Sequence, residues 1–245
     1  MTHNSATKST NRTLGIFAKF WEPGRVKTRL AKTIGHDAAS SAYQCLLGYH
    51  IRRFSGFDSQ SVIVYSPDTP PSLASFEDFT HVQCEAPGWD LIPQSEGDLG
   101  VRMATFFQQR FDLGDQKIVV IGSDAPQLSD AVIENAFSML DDHEVVFGPS
   151  TDGGYYLVGL SRFAPEIFTG IDWSTESVLP QSTAQCEQSG YRCGLLEPLT
   201  DIDEGKDLAA VMQSLAADSN EHVGELLTKL NAIPEVKSVY DGLDS

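Results

Sequence analysis

Five cationic side chains, Lys19, Arg25, Lys27, Arg29 and Lys32, fall within fourteen positions of a chain that carries 17 Lys and Arg against 34 Asp and Glu. Such a cluster in so acidic a background has two readings: a solvated face balanced by nearby acids, or a grip on an anion. Gly24 lets the backbone come close to a ligand, and the side chains behind it offer both ways of holding phosphate oxygens. Arg25 and Arg29 present planar forks, and Lys27 a compact point charge. The segment is not a P-loop, because Val26 stands where that motif needs a glycine before the lysine. No G-x-G-x-x-G occurs in the chain, which argues against a nicotinamide dehydrogenase.

Acids that could face this loop lie far away in sequence. Asp124 ends the run Lys117-Ile118-Val119-Val120-Ile121-Gly122-Ser123, and Asp201-Ile202-Asp203 comes late. A hard cation such as Mg²⁺ or Mn²⁺ needs only one or two protein carboxylates beside substrate phosphates, so Asp124, Asp201 and Asp203 are candidate metal ligands. Opposite a basic loop they would form a clamp for a diphosphate. Asp124 has a plainer reading as a turn residue, and Asp203 as the cap of a following helix. Asp152-Gly153-Gly154-Tyr155-Tyr156 places an acid and two glycines before a strand. Asp152 is then either a base or hydroxyl ligand, or one corner of a β-turn. Gly97-Asp98-Leu99-Gly100-Val101-Arg102 reads as a helix start that offers backbone N–H groups and Arg102 to an anion.

Holding these groups requires strands with loops at one edge. The apolar run at 117–122 reads as a central strand buried on both faces. Strands are also expected at 13–20, 61–65, 144–148, 154–160 and 192–196, with a weaker one at 81–85 after the breakers Pro67, Pro70 and Pro71. Helices are expected at 37–54, from the Asp98 cap to about 110, at 129–140, from Ser174 to about 188 with a kink at Pro180, at 206–215, and once more after 221. The βαβ rhythm implies an α/β fold whose ligands gather at the carboxyl ends of the strands. Residues 1–12 read as a disordered tail, 13–218 as a single domain, and 219–245 as a C-terminal helix and tail.

The formal net charge of -17 over 245 residues argues against nucleic acid or an anionic membrane as the main partner. No apolar run reaches the roughly 18 residues of a membrane span. Residues 1–12 lack the apolar segment of a signal peptide. Cys45, Cys84, Cys186 and Cys193 form no close pair, so a cytoplasmic location without disulfides is expected. The D-x-D at 201–203 comes too late in the chain for the nucleophile of an aspartyl-phosphate phosphatase, which follows a first apolar strand.

Taken together, Pro23-Gly24-Arg25-Val26-Lys27-Thr28-Arg29-Leu30, Asp98-Leu99-Gly100 with Arg102-Met103, Gly122-Ser123-Asp124 with Pro126, Asp152-Gly153-Gly154-Tyr155-Tyr156-Leu157, Trp173-Ser174-Thr175 and Asp201-Ile202-Asp203 resemble a bacterial family of GT-A-like nucleotide-diphospho-sugar transferases. The family is similar to 2-phospholactate and molybdenum-cofactor guanylyltransferases. The resemblance implies a Rossmann-like α/β/α sandwich with a mostly parallel mixed sheet, a bound Mg²⁺ or Mn²⁺, and transfer from a nucleotide sugar to a small-molecule acceptor. Nucleotidylyl transfer from an NTP, or nucleotide binding without catalysis, are the alternatives. Carried onto this chain, Lys27 and Asp152 become catalytic candidates. Gly24, Arg25, Lys27, Arg29, Asp98, Gly100, Arg102, Ser123, Gly153 and Gly154 become nucleotide contacts, and Asp124, Asp201 and Asp203 the metal set. Phe20-Trp21-Glu22, Val101 and Thr151 depart from the family's usual pattern; the last two bear on acceptor binding.

Overall fold

The computed structural model describes residues 11–84 and 88–242. Most of the expected tail at 1–12, Glu85 and the last three residues lie outside them. Seven strands form one sheet in the order β3-β2-β1-β4-β6-β5-β7. They are β1 (Arg12–Lys19), β2 (Gln60–Ser66), β3 (Asp90–Pro93), β4 (Lys117–Ile121), β5 (Val145–Pro149), β6 (Tyr155–Leu160) and β7 (Cys193–Leu195). All neighbours run parallel except β6, which is antiparallel to both β4 and β5. This is the expected mixed, mostly parallel sheet.

Strand period explains the layers. Along β4, Val119 and Ile121 join one hydrophobic cluster while Ile118 and Val120 join another on the opposite face. The first face is covered by α2 (His36–Arg53), α3 (Pro70–Gln83) and α5 (Asp130–Met139). The second is covered by α4 (Leu99–Asp112), a 3-10 turn at Pro165–Phe168 and α6 (Val178–Ser189). The result is an α/β/α sandwich. A third cluster binds α1 (Ala31–Ile34), α7 (Gly205–Leu215), α8 (Glu221–Asn231) and α9 (Pro234–Asp241) to the outer side of α2.

Several expected elements move. The strand expected at 81–85 is absent: residues 70–83 are helical and the edge strand lies at Asp90–Pro93. Pro70 and Pro71 occupy the first helical positions, where no backbone N–H partner is lost, and Thr69 Oγ1 accepts from the Ser72 N–H at 3.3 Å. The prolines therefore open a helix instead of breaking one. Likewise α6 begins at Val178, not Ser174, so Pro180 falls in its first turn and needs no kink. Among the described residues beyond 220 there are two helices where one was expected.

Candidate nucleotide-binding and transfer site

A cleft of about 680 Å³ opens at the carboxyl edge of the sheet, lined by the ends of β1 and β4, the start of β6, and the loops at 25–29, 97–99, 173–175 and 201–203. The antiparallel reversal of β6 is what brings its entry turn, with Asp152, to the edge where β1 and β4 end.

The basic loop is anchored from behind. Trp21 packs on Phe20, Phe76 and Phe79 with ring centroids 4.6–5.2 Å apart. Its carbonyl accepts the Ser40 hydroxyl. The unusual Phe20-Trp21 entry is thus an aromatic anchor against α3. Gly24 turns the chain at φ 81°, and the Ala31 N–H closes the loop on the Lys27 carbonyl at 2.9 Å. Val26 and Leu30 point into the core, which leaves Arg25 and Arg29 on the surface, their side chains 78% and 52% exposed.

Lys27 behaves differently from its neighbours. Its backbone adopts φ 45°, the left-handed region that costs a side-chain-bearing residue energy. Its side chain is only 6% exposed, and Nζ donates to Asp124 Oδ2 at 2.7 Å and Asp203 Oδ1 at 3.1 Å. Burial alone would lower the ammonium pKa; the two carboxylates outweigh it and raise the pKa above its ordinary value. Burial likewise pushes Asp124 up, and Lys27 more than reverses this, so its carboxyl titrates below the usual range. Arg29 Nη1 reaches the other oxygen of Asp203 at 3.4 Å.

Asp124 is held by its surroundings. The Ile202 N–H donates to its carbonyl at 3.0 Å, tying the late acidic loop to the central strand. A Cβ on Gly122 would stand 2.8 Å from Asp124 Oδ1, so glycine leaves the carboxylate its space. Ser123 is buried, and its hydroxyl meets the Tyr43 hydroxyl at 3.1 Å, which in turn accepts from the Lys19 N–H at 2.9 Å. Asp203 is not a helix cap: Glu204 caps α7 through a reciprocal box with Asp207. Its side chain remains available for Lys27 and Arg29.

Asp201 lines the same cleft. Its Oδ1 is buried without a hydrogen-bond partner, as is Ser150 Oγ on the same wall. Burial first, then the charge of Asp124, pushes its pKa up to about 8. Among the described residues no three His, Cys, Asp or Glu side chains converge as a ready metal cage. The donor set nevertheless suits a hard cation: oxygen ligands, one buried and unsatisfied, around a position that an ammonium already neutralises.

On the opposite wall, Asp98 caps α4, its Oδ1 accepting the Val101 N–H at 2.9 Å. Arg102 lines the cleft but is tethered, Nε donating to the Gly97 carbonyl at 2.8 Å and Nη1 to Gln94 Oε1 at 3.2 Å. Asp152 is exposed, with Oδ1 accepting the Gly154 N–H at 2.9 Å; the turn reading is correct, and the other oxygen is left for a ligand.

Eleven of the expected residues line the cleft: Arg25, Lys27, Arg29, Asp98, Arg102, Ser123, Asp124, Asp152, Gly154, Asp201 and Asp203. Gly24, Gly100 and Gly153 do not. A Cβ on Gly100 would meet the Phe168 carbonyl at 2.6 Å and the Trp173 ring at 2.9 Å, and one on Gly153 would meet the Glu176 carbonyl at 2.3 Å. Both glycines leave room for the 168–176 segment. Tyr43, Gln94 and Ser150 also line the cleft without having been expected, because isolated polar residues carry no spacing signal. Trp173 was already visible in the Trp-Ser-Thr triplet.

Residues 55–175 match the model of an uncharacterized protein family conserved in bacteria, DUF2064. That match spans β2 to the Trp173 loop and includes Asp124 and Asp152, while Lys27 and the 201–203 acids lie outside it. A 2-phospho-L-lactate guanylyltransferase from Methanopyrus kandleri is 26% identical over 195 residues, covering 77% of this chain and 86% of its own. A crystal structure from Desulfovibrio desulfuricans G20, provisionally assigned as a nucleotide-diphospho-sugar transferase, superposes with a TM-score of 0.84 at 26% identity, over 94% of this chain and 99% of its own. The inositol-1-phosphate CTP transferase of T. maritima shares the fold, with a TM-score of 0.53 at 14% identity over 91% and 98% of the two chains. The chain therefore has the nucleotide-diphospho-sugar transferase fold, shared with proteins named as transferases. No helix among the described residues is long and apolar enough to cross a membrane.

Proposed function

We propose that this protein transfers a glycosyl group from a nucleotide sugar to a hydroxyl of a small acceptor. The observation that carries the reading is the buried Lys27 ammonium between Asp124 and Asp203 at one cleft wall, with Arg25 and Arg29 exposed beside it. In this reading the two guanidinium groups take the diphosphate oxygens of the donor. Asp98 and the first turn of α4 offer backbone N–H groups on the opposite wall, and Ser123 and Gly154 close the floor. Asp124, Asp201 and Asp203 would hold Mg²⁺ or Mn²⁺. Such an ion, when bound, neutralises charge on the departing diphosphate.

The bond changes follow from this arrangement. The acceptor oxygen bonds to the anomeric carbon, the bond from that carbon to the diphosphate oxygen breaks, and the nucleoside diphosphate leaves. The hydroxyl proton passes to the Asp152 carboxylate, whose second oxygen is uncommitted. Lys27, Arg25 and Arg29 stabilise the leaving group's charge.

Nucleotidylyl transfer is the second reading, favoured by the likeness to the Methanopyrus kandleri guanylyltransferase. There an acceptor oxygen attacks the α-phosphorus of an NTP and pyrophosphate leaves. Thermal stabilisation by a panel of nucleotide sugars and NTPs with Mn²⁺, followed by assay of the released diphosphate, separates the two. Stabilisation by nucleotide sugars with nucleoside diphosphate release is expected. A response to NTPs alone with pyrophosphate release assigns nucleotidylyl transfer, and binding without release of either product assigns a non-catalytic nucleotide-binding protein.

A further inference from the structure

Lys27 is the one cation of the basic loop that faces inward. Its neighbours Arg25 and Arg29 stay largely exposed, whereas the Lys27 ammonium sits within 3.1 Å of two carboxylates from segments 97 and 176 residues away. A left-handed backbone at φ 45° aims it there. The loop that carries it is fixed at both ends, by the Trp21 anchor and by the Ala31 to Lys27 hydrogen bond. The backbone is therefore set and the four-carbon stem is the movable part. Asp201 Oδ1, buried without a partner, lines the same cleft.

Resting on the assignment of Asp124, Asp201 and Asp203 as the cation site, we propose that Lys27 is a tethered occupant of that site, competing with the divalent ion for Asp124 and Asp203. A divalent ion cannot share those oxygens with an ammonium 2.7 Å from one of them without severe charge repulsion. Metal entry therefore displaces Lys27 into the cleft, toward the place where the donor's diphosphate binds. Two consequences follow. The free protein binds metal weakly, because each ion must first expel a buried, doubly paired lysine. The phosphates receive the expelled ammonium, so an anionic donor and the metal help one another to bind, a reciprocal coupling. The lysine also keeps the acids neutralised until a substrate arrives.

The test is a titration of Mn²⁺ alone, followed by electron paramagnetic resonance of free Mn²⁺, on wild type and Lys27→Met. Competition predicts that the variant binds Mn²⁺ at least tenfold more tightly, although it has lost a residue of the donor grip. Equal or weaker binding by the folded variant, or no Mn²⁺ binding by either protein, overturns the proposal. A second measurement on the wild type covers the case in which Lys27→Met fails to fold. Lysines labelled biosynthetically with ¹³C at Cε are observed by NMR during titration with Mg²⁺. The Lys27 resonance, assigned by its absence from Lys27→Arg, should move at the concentrations that saturate the site; an unmoved resonance at saturation overturns displacement. Neither readout requires turnover, so failure of the transfer reading, seen as absence of product, is distinguishable from failure of this one.

Discussion

Asp152 and Gly153 are neighbours in one turn and answer to different constraints. Asp152→Asn preserves the turn, since its amide oxygen can still accept the Gly154 N–H, but it cannot take a proton. We expect kcat to fall by about 10²–10⁴ with donor affinity little changed, read from steady-state kinetics once a donor is found. Gly153→Ala should do the reverse. It forces a side chain onto φ 91° and against the Glu176 carbonyl. A loss of about 2–4 kcal/mol in urea unfolding is expected, with the cleft's charges untouched. Asp124→Ala removes a partner of Lys27 and should abolish stabilisation by nucleotide with Mn²⁺; undiminished binding would refute its assignment. The basic loop stood out in the sequence because a density of positive charge in an acidic chain is itself a signal, whereas Asp124 was singled out mostly by the family resemblance. The roles of Gly100 and Gly153 were not, because what crowds each of them lies more than 20 residues further along the chain.

At the level of elements, strands were read more reliably than the helices between them. An apolar β-branched run such as Ile118-Val119-Val120-Ile121 has few other fates, whereas Pro70 and Pro71 read as breakers until their position at the first turn is known. The Trp173 loop was mistaken for the start of a helix for a related reason. Ser174 sits at φ 66°, and side-chain bonds between Asp172 and Gln181 hold the loop open. One consequence of strand placement concerns pH. At the edge of the sheet, hydrogen bonds from the Arg192 side chain and backbone hold Glu144 down to about 2, against 4.5 ordinarily. A depressed folded-state pKa means the unfolded chain binds the proton first. The contribution is therefore complete above about pH 4.5 and is lost as pH falls through about 2. Arg192 is 64% exposed, so solvent screens the pair and the effect is small. In Glu144→Gln the urea midpoint should fall less steeply than wild type across that window.

For the whole molecule, the C-terminal helices belong to the support of the site. Leu226 and Leu230 on α8 are fully buried in the cluster that includes Leu46 and Tyr49 of α2, and α2 also carries Tyr43 beneath the cleft. Leu226→Ala should cost about 2–5 kcal/mol in global stability, measured by urea unfolding, while nucleotide affinity in the remaining folded protein is unchanged. The α/β class and the sheet's central strand were readable from rhythm alone. The order of strands and the reversal of β6 were not, because local sequence does not encode which edge a later strand joins.

The distance in sequence between Lys27 and its two acids, 97 and 176 residues, bears on how the protein comes into being. A ribosome delivers the basic loop first, and at roughly 5–20 residues per second Asp203 follows it by roughly ten to thirty-five seconds. Throughout that interval the loop has no late acid to fold against. Pairing of Lys27 with Asp203 therefore waits on a late segment of the chain, and a refolding chain should regain nucleotide binding only with its slowest long-range step.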